Sequence, residues 1–389
     1  MNNNHKSKDE IFVSTQLLNG VFSKLPRSKS TNGDDEPVFS ICKCVYHYTT
    51  TAVLDKILEC GSLRATNVYY LNDTGEMYFG IKKIGEIINF SKENQKINLV
   101  PYTISFSLED DLLNQWVCYG KESGVSIGFD FPEQSENGFC LKIGGINFSS
   151  TWGYPRLVRY LSKDENNEID ECQEEVKKIW KDITGIVNLQ EKNYEGSENL
   201  ANEITLKLLA TFLKRKEFNG EKEARIVIFP ISDFKSIDDQ KSNISFFCGS
   251  KGILKPYIDV ECVLRHNIGW PISSITVGPS GNQDAVFKSI IMRLEYGKCL
   301  LYQFSDAQKQ KHKSEYIEVF IKKLHEKYDK NKLITNEDDE SVRNFLSGSK
   351  DDCDKNLMEY IQDIKENECY YCEDSSIYIK KSKIPYLFT

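Results

Sequence analysis

The sequence lacks any apolar run approaching the roughly 18 residues of a membrane-spanning helix. Its first residues, MNNNHKSKDE, also lack the apolar core of a secretion signal. No internal repeat is visible, which excludes solenoid and array folds. There is no basic excess: the formal net charge of -8 argues against a general nucleic-acid coat while leaving room for a local basic groove. Only five histidines occur in 389 residues, so histidine-centred chemistry has few candidates. The 12 cysteines are scattered from Cys42 to Cys372, whereas a secreted disulfide framework is short and dense. Reduced thiols and a cytoplasmic setting are therefore expected. With 40% hydrophobic and 28% charged residues, the chain has an ordinary globular composition. Its length suits one large or two ordinary domains, and size alone favours an enzyme.

Residues 1–38 read as a polar lead-in ending in SKSTNGDDEP. The main α+β domain is expected over 39–302. It opens on VYHYTT, where alternation puts His47 and Thr49 on one strand face and Tyr46 and Tyr48 on the other. Thr50 or Thr51 caps the helix TAVLDKILEC, and Gly61 stops it. A strand, ATNVYYL, precedes a helix in which Asp73 and Glu76 have capping-box spacing. YTISFSL, GVSIGFDF, FCLKIGGINF and YPRLVRYL have strand composition, with the short turn EDDLLNQWVCYGKES between the first two. Helices QEEVKKIWKDITGIV and ENLANEITLKLLATFLKRKEF follow, then strands EARIVIF, PYIDVECVL and SSITVGPS, then the helix NQDAVFKSIIMRLEYG. Residues 303–374 are lysine- and glutamate-rich and read as a helical insertion or appendage that could bind a protein partner. Residues 375–389 read as a terminal strand returning to the main sheet. The expected fold is α+β, with a mixed or split β-sheet and flanking helices.

Cys42-x-Cys44 and Cys369-x-x-Cys372 are two close pairs, but they lie far apart in sequence and the first has unusual zinc spacing, so no metal site is expected. GPSG at 278–281 joins a strand to a helix, and a plain Gly-Pro turn explains it as well as anion binding does. In GEKEARIVIF, a strand would place Glu221, Glu223 and Arg225 on one face. An edge strand with its charges in water explains that face without function. Chemically, a fixed carboxylate there suits an oxocarbenium-like transition state, such as cleavage of the nicotinamide–ribose bond of NAD. An aromatic wall suits the cationic nicotinamide, and Tyr69 and Tyr70 are candidates.

YHYTT, GSLRAT and YLNDTGE, followed by SFSLEDDLLNQWVCYGKESGVSIGFDF, KRKEFNGEKEARIVIF, ITVGPSG and KSKIPY, together resemble the large bacterial domain-of-unknown-function 2971 family over residues 45 to 300 and the last dozen. The first block is also similar to the opening of ADP-ribosyltransferase-like folds. That similarity implies an ADP-ribosyltransferase-like fold and NAD as substrate, with transfer to a macromolecular acceptor or NAD cleavage, in a bacterial defence setting. It implies that His47 and Thr49, with Tyr48 between them, lie at the nucleotide ribose and that Glu223 is the catalytic carboxylate. Position 48 is tyrosine where that motif has glycine. Tyr69 or Tyr70, or Tyr119 with Gly124, would supply the middle motif. Trp116 and Tyr119 would wall the pocket, Glu221 would orient the acceptor, and Arg225 would tune the pair or bind phosphate. Two alternatives remain open. One is a nucleic-acid-directed 2′-phosphotransferase-like enzyme using Arg156 and Arg159. The other is a non-catalytic recognition module.

Overall fold

The computed structural model describes Leu25 and residues 39–73, 75–89, 100–120, 123–132, 139–143, 146–148, 153–161, 169–190, 197–229, 244–249, 252–264, 267–328, 334, 336–349 and 355–385. The expected lead-in over 1–38 lies outside the described residues apart from Leu25, as do residues 350–354 and 386–389. The elements begin with β1 (Cys44–Thr50), α1 (Thr51–Cys60), β2 (Ser62–Asn67), α2 (Glu76–Ile88), β3 (Tyr102–Ser107) and β4 (Gly124–Asp130). Next come β5 (Phe139–Ile143), β6 (Ile146–Phe148), β7 (Arg156–Leu157), β8 (Arg159–Leu161), α3 (Ile169–Gln190) and α4 (Ser197–Thr211). They continue with β9 (Leu213–Arg215), β10 (Glu223–Ile228), β11 (Ser245–Cys248), β12 (Leu254–Leu264), β13 (Asn267–Ile268), β14 (Ile272–Val277) and α5 (Gln283–Tyr296). The last are α6 (Asp306–Tyr328), α7 (Asn336–Ser347), α8 (Lys355–Asn367), β15 (Cys369–Cys372) and β16 (Ile377–Lys381). The fold class is α+β with mixed strand pairing. The chain, expected to form one main domain over 39–302, divides into two compact units. The first comprises Met1–Cys42, Leu63–Ser105 and Gln134–Glu261; the second comprises Lys43–Ser62, Phe106–Glu133 and Cys262–Thr389.

In the first unit β2 runs antiparallel to β3, with Thr66 opposite Thr103. β10 also pairs with β3, and the Thr103 hydroxyl donates to the Ile226 carbonyl at 3.1 Å. β7 lies antiparallel to β10, while β8 and β9 form a separate parallel pair. The expected strand ATNVYYL ends at Asn67, because the Asn67 side chain accepts the Tyr69 N–H at 3.0 Å and turns the chain into a 3₁₀ segment. The helix expected through KRKEF ends at Thr211: Leu213–Arg215 pair with β8 instead, and Lys216–Glu221 form a 3₁₀ turn. Helices α2 and α4 meet closely at Gly80, where a Cβ would lie 2.3 Å from the Ala210 carbonyl oxygen.

In the second unit β4 is antiparallel to β1 along its length and to β14 on its other edge. β16 runs parallel to β14, and β15 antiparallel to β16. Every residue of β4 and β14 is buried, which accounts for their unbroken apolar and small-residue runs. Phe106, Phe129, Phe131 and Trp270 form an edge-to-face aromatic core. α1 follows Thr50 and closes on Gly61, which adopts the left-handed conformation (φ 65°) that glycine accepts without strain. The expected helical stretch over 303–374 holds α6, α7 and α8, but also β15, so the β15–β16 hairpin crosses the expected boundary at residue 374. Tyr316, Phe320 and Ile361 of these helices share one apolar cluster with Tyr371 and Tyr378 of the hairpin. At the end of β4, Asp130 accepts from Lys311 at 2.8 Å, and His312 Nε2 lies 3.1 Å away. The Cys44 thiol also donates to it at 3.4 Å. Among the described residues no helix is long and apolar enough to cross a membrane.

Candidate functional site

The first unit concentrates charge where α2, β9 and β10 converge. Glu76 opens α2, where capping-box spacing predicts a side chain turned back on its own helix. Asp73 does hold the turn, accepting the Gly75 N–H at 2.8 Å. Glu76 is instead buried, with Oε1 2.5 Å from Arg225 Nη1 and Oε2 3.2 Å from Lys214 Nζ. Lys214 reaches the same place from the middle of β9. Its Nζ lies 2.8 Å from Glu221 and 2.9 Å from Glu223. Glu223 and Arg225 share a face of β10, as strand alternation requires. Arg225 grips both Glu223 oxygens, Nε to Oε1 at 2.7 Å and Nη2 to Oε2 at 2.8 Å, and donates to the Thr211 carbonyl at 2.7 Å. The Glu223 N–H donates to the Tyr160 hydroxyl at 2.8 Å.

Three carboxylates thus surround two cations, leaving one negative charge in excess when all are ionised. Their exposure is unequal. The side chains of Glu76 and Glu223 are 5% and 6% exposed, whereas that of Glu221 is 28% exposed. Burial alone would raise the Glu223 pKa, but Arg225 and Lys214 outweigh it and hold the carboxyl below its ordinary range. For Glu221 burial prevails over Lys214, and its pKa rises. Burial would lower the Lys214 pKa, yet Glu223, Glu76 and Glu221 carry it well above that of a free lysine. In the 3₁₀ turn, Phe218 and Glu221 are three residues apart and so lie on one side. The Lys214 ammonium is 5.1 Å from the Phe218 ring centre. Such an arrangement can fix a negative site, take up a proton at Glu221, and face a cation.

The other candidates are placed as follows. Tyr69 is half-buried, its ring 5.8 Å from that of Tyr78, and Tyr70 is exposed. Arg225 is wholly engaged in the cluster, which leaves it little capacity for a phosphate. Arg156 is buried and donates to the Phe39 carbonyl at 3.0 Å, a structural bond rather than a phosphate clamp. These belong to the first unit. In the second, the His47 ring meets Phe106 edge-on at 5.9 Å, and Thr49 lies opposite Val125. Tyr48 faces the other way. Its hydroxyl donates to the Glu109 carbonyl at 2.9 Å and accepts the Leu112 N–H at 2.8 Å, pinning the Trp116 turn to β1. Trp116 is buried rather than a pocket wall, with Nε1 donating to Asp111 at 2.7 Å and its ring 4.7 Å from Tyr48. Tyr119 in the same π-helical turn is exposed.

Residues 115–226 match the model of a family described as Protein of unknown function (DUF2971). The DUF2971 match takes in Trp116 at its start and ends on β10, so that Lys214, Glu221, Glu223 and Arg225 all lie within it. Glu76 and His47 lie before it. Comparison with curated proteins and with solved structures gave no match.

Proposed function

We propose that the chain cleaves the nicotinamide–ribose bond of NAD and passes ADP-ribose to a macromolecule or to water, with the carboxylate cluster of the first unit at the reacting end. The charge balance of that cluster carries the reading: an excess negative charge is fixed among buried partners, and Glu221 is its open member. Departure of nicotinamide breaks the bond from ribose C1′ to the ring nitrogen and leaves positive charge on the ribose. A fixed negative site lowers the energy of that state. The acceptor then bonds to C1′ and gives up its proton to Glu221, whose burial strengthens it as a base. Glu223 keeps the charge in place through Arg225 and Lys214. The nicotinamide role of Tyr69 or Tyr70 rests on the motif resemblance.

A second reading, a non-catalytic recognition module, is favoured by Glu223 itself, which is buried with both oxygens occupied. Nicotinamide release and NAD binding by purified protein, with a cell extract as acceptor source, separate the two. Wild type is expected to release nicotinamide. Glu221→Gln should slow transfer about 10²- to 10⁴-fold while still binding NAD. Glu223→Gln should lose activity together with about 3–5 kcal/mol of stability, because two buried cations are left underpaired. A folded wild type that neither binds NAD nor releases nicotinamide establishes the recognition reading.

A further inference from the structure

Lys214 lies in a stretch, LLATFLKRKEF, that reads as helix, and it opens the block KRKEFNGEKEARIVIF, where the resemblance gives it no role. An ammonium has three donors, and three carboxylate oxygens surround this one at 2.8, 2.9 and 3.2 Å. They come from three places: Glu221 in the 3₁₀ turn, Glu223 on β10 and Glu76 on α2. Glu223 and Glu76 also bind Arg225, whereas Glu221 is held at Lys214 with Phe218 beside it. We propose that Lys214 is the positioning residue of this site, binding all three carboxylates at once and keeping Glu221 ionised and fixed at the open side of the cluster.

The inference rests on the function proposed above for its consequence, but its physical content is the coupling of one lysine to one glutamate. Among the groups facing Glu221 are Lys214, Glu223 and Glu76, with Arg225 and Tyr160 behind Glu223. The charges of Glu223 and Glu76 favour the protonated acid and Lys214 opposes them, so removing Lys214 must raise the affinity of Glu221 for a proton. A guanidinium is a planar fork and cannot direct three bonds into a tripod, so arginine restores the charge without the geometry.

Carbon-13 NMR of glutamate-labelled protein, with the Glu221 signal assigned by its loss in Glu221→Gln, reads this without NAD. In Lys214→Met the Glu221 titration should move up by at least about one pH unit. In Lys214→Arg it should return most of the way. The acid limb of nicotinamide release should move in the same direction as the NMR titration, with Lys214→Arg recovering the pH profile but not the full rate. Should Lys214→Met fail to fold, the reciprocal measurement serves: Glu221→Gln in the otherwise native chain should lower the titration midpoint of the Lys214 side chain. An unmoved Glu221 in folded Lys214→Met, or an unmoved Lys214 in Glu221→Gln, overturns the inference. Absence of nicotinamide release with both NMR shifts present overturns only the NAD reading.

Discussion

Asp130 of the second unit sits in an environment that favours its charge. Burial alone would raise its pKa, but hydrogen bonds from His312 and Lys311 bring it down to about 2. A free aspartate titrates at about 3.9. The folded state therefore prefers the ionised form. That preference stabilises the fold fully above about pH 4 and is lost as the pH falls through about 2, a swing of about 2 kcal/mol. Asp130→Asn should flatten this part of the acid limb, read as urea midpoints across pH 4 to 2, and a curve parallel to wild type would refute the assignment. At this scale the sequence was legible where local geometry decides. Glu223 and Arg225 share a face because strand residues alternate. Glu76 was not legible, because a capping box accounted for it and only the tertiary fold turns it toward Lys214. Trp116, read as a pocket wall, is buried between Asp111, five residues before it, and Tyr48 of β1, a neighbour that only the tertiary fold supplies.

Elements were read most accurately where one periodicity runs uninterrupted, as in β1, α1, β4, β14 and α5. They were misread where pairing overrides propensity. β9 is built from residues that favour helix, and its parallel pairing with β8 decides its state. β15 sits in a lysine- and glutamate-rich stretch, and its antiparallel partner β16 makes it a strand. The contact between α2 and α4 gives a prediction at this scale. Gly80→Ala would gain roughly 1 kcal/mol of helix propensity. Against this, its Cβ would meet the Ala210 carbonyl at 2.3 Å, a backbone atom that cannot swing aside. The overpacking cost of about 1–3 kcal/mol should prevail. Thermal unfolding should show a lower midpoint, and a raised one would mean that the helices can separate without loss.

For the whole molecule, the interleaving of the two units matters more than their size. The chain enters the second unit three times, at Lys43, Phe106 and Cys262. Residues 1–261 hold all of the first unit together with β1, α1 and β4 of the second. They lack β14, which covers one edge of a strand buried along its whole length. This fragment should bind a hydrophobic dye and associate, as seen by fluorescence and size-exclusion chromatography. A monodisperse fragment that does not bind the dye would show that β4 finds other cover. No composition shift marks these crossings, which is why one continuous domain over 39–302 was the natural expectation from sequence.

The position of β4 also bears on how the protein is made. Asp130 leaves the ribosome well before Ile272, and β16 follows only at Ile377. At ordinary elongation rates, β4 waits on the order of ten seconds for its second neighbour. During that interval GVSIGFD is a nascent segment with high β-propensity and an unpaired edge, the kind of stretch that holding chaperones bind. Yield in a cell would then depend on translation speed between residues 130 and 272, so synonymous codon changes there could alter the amount of folded protein without altering the protein itself.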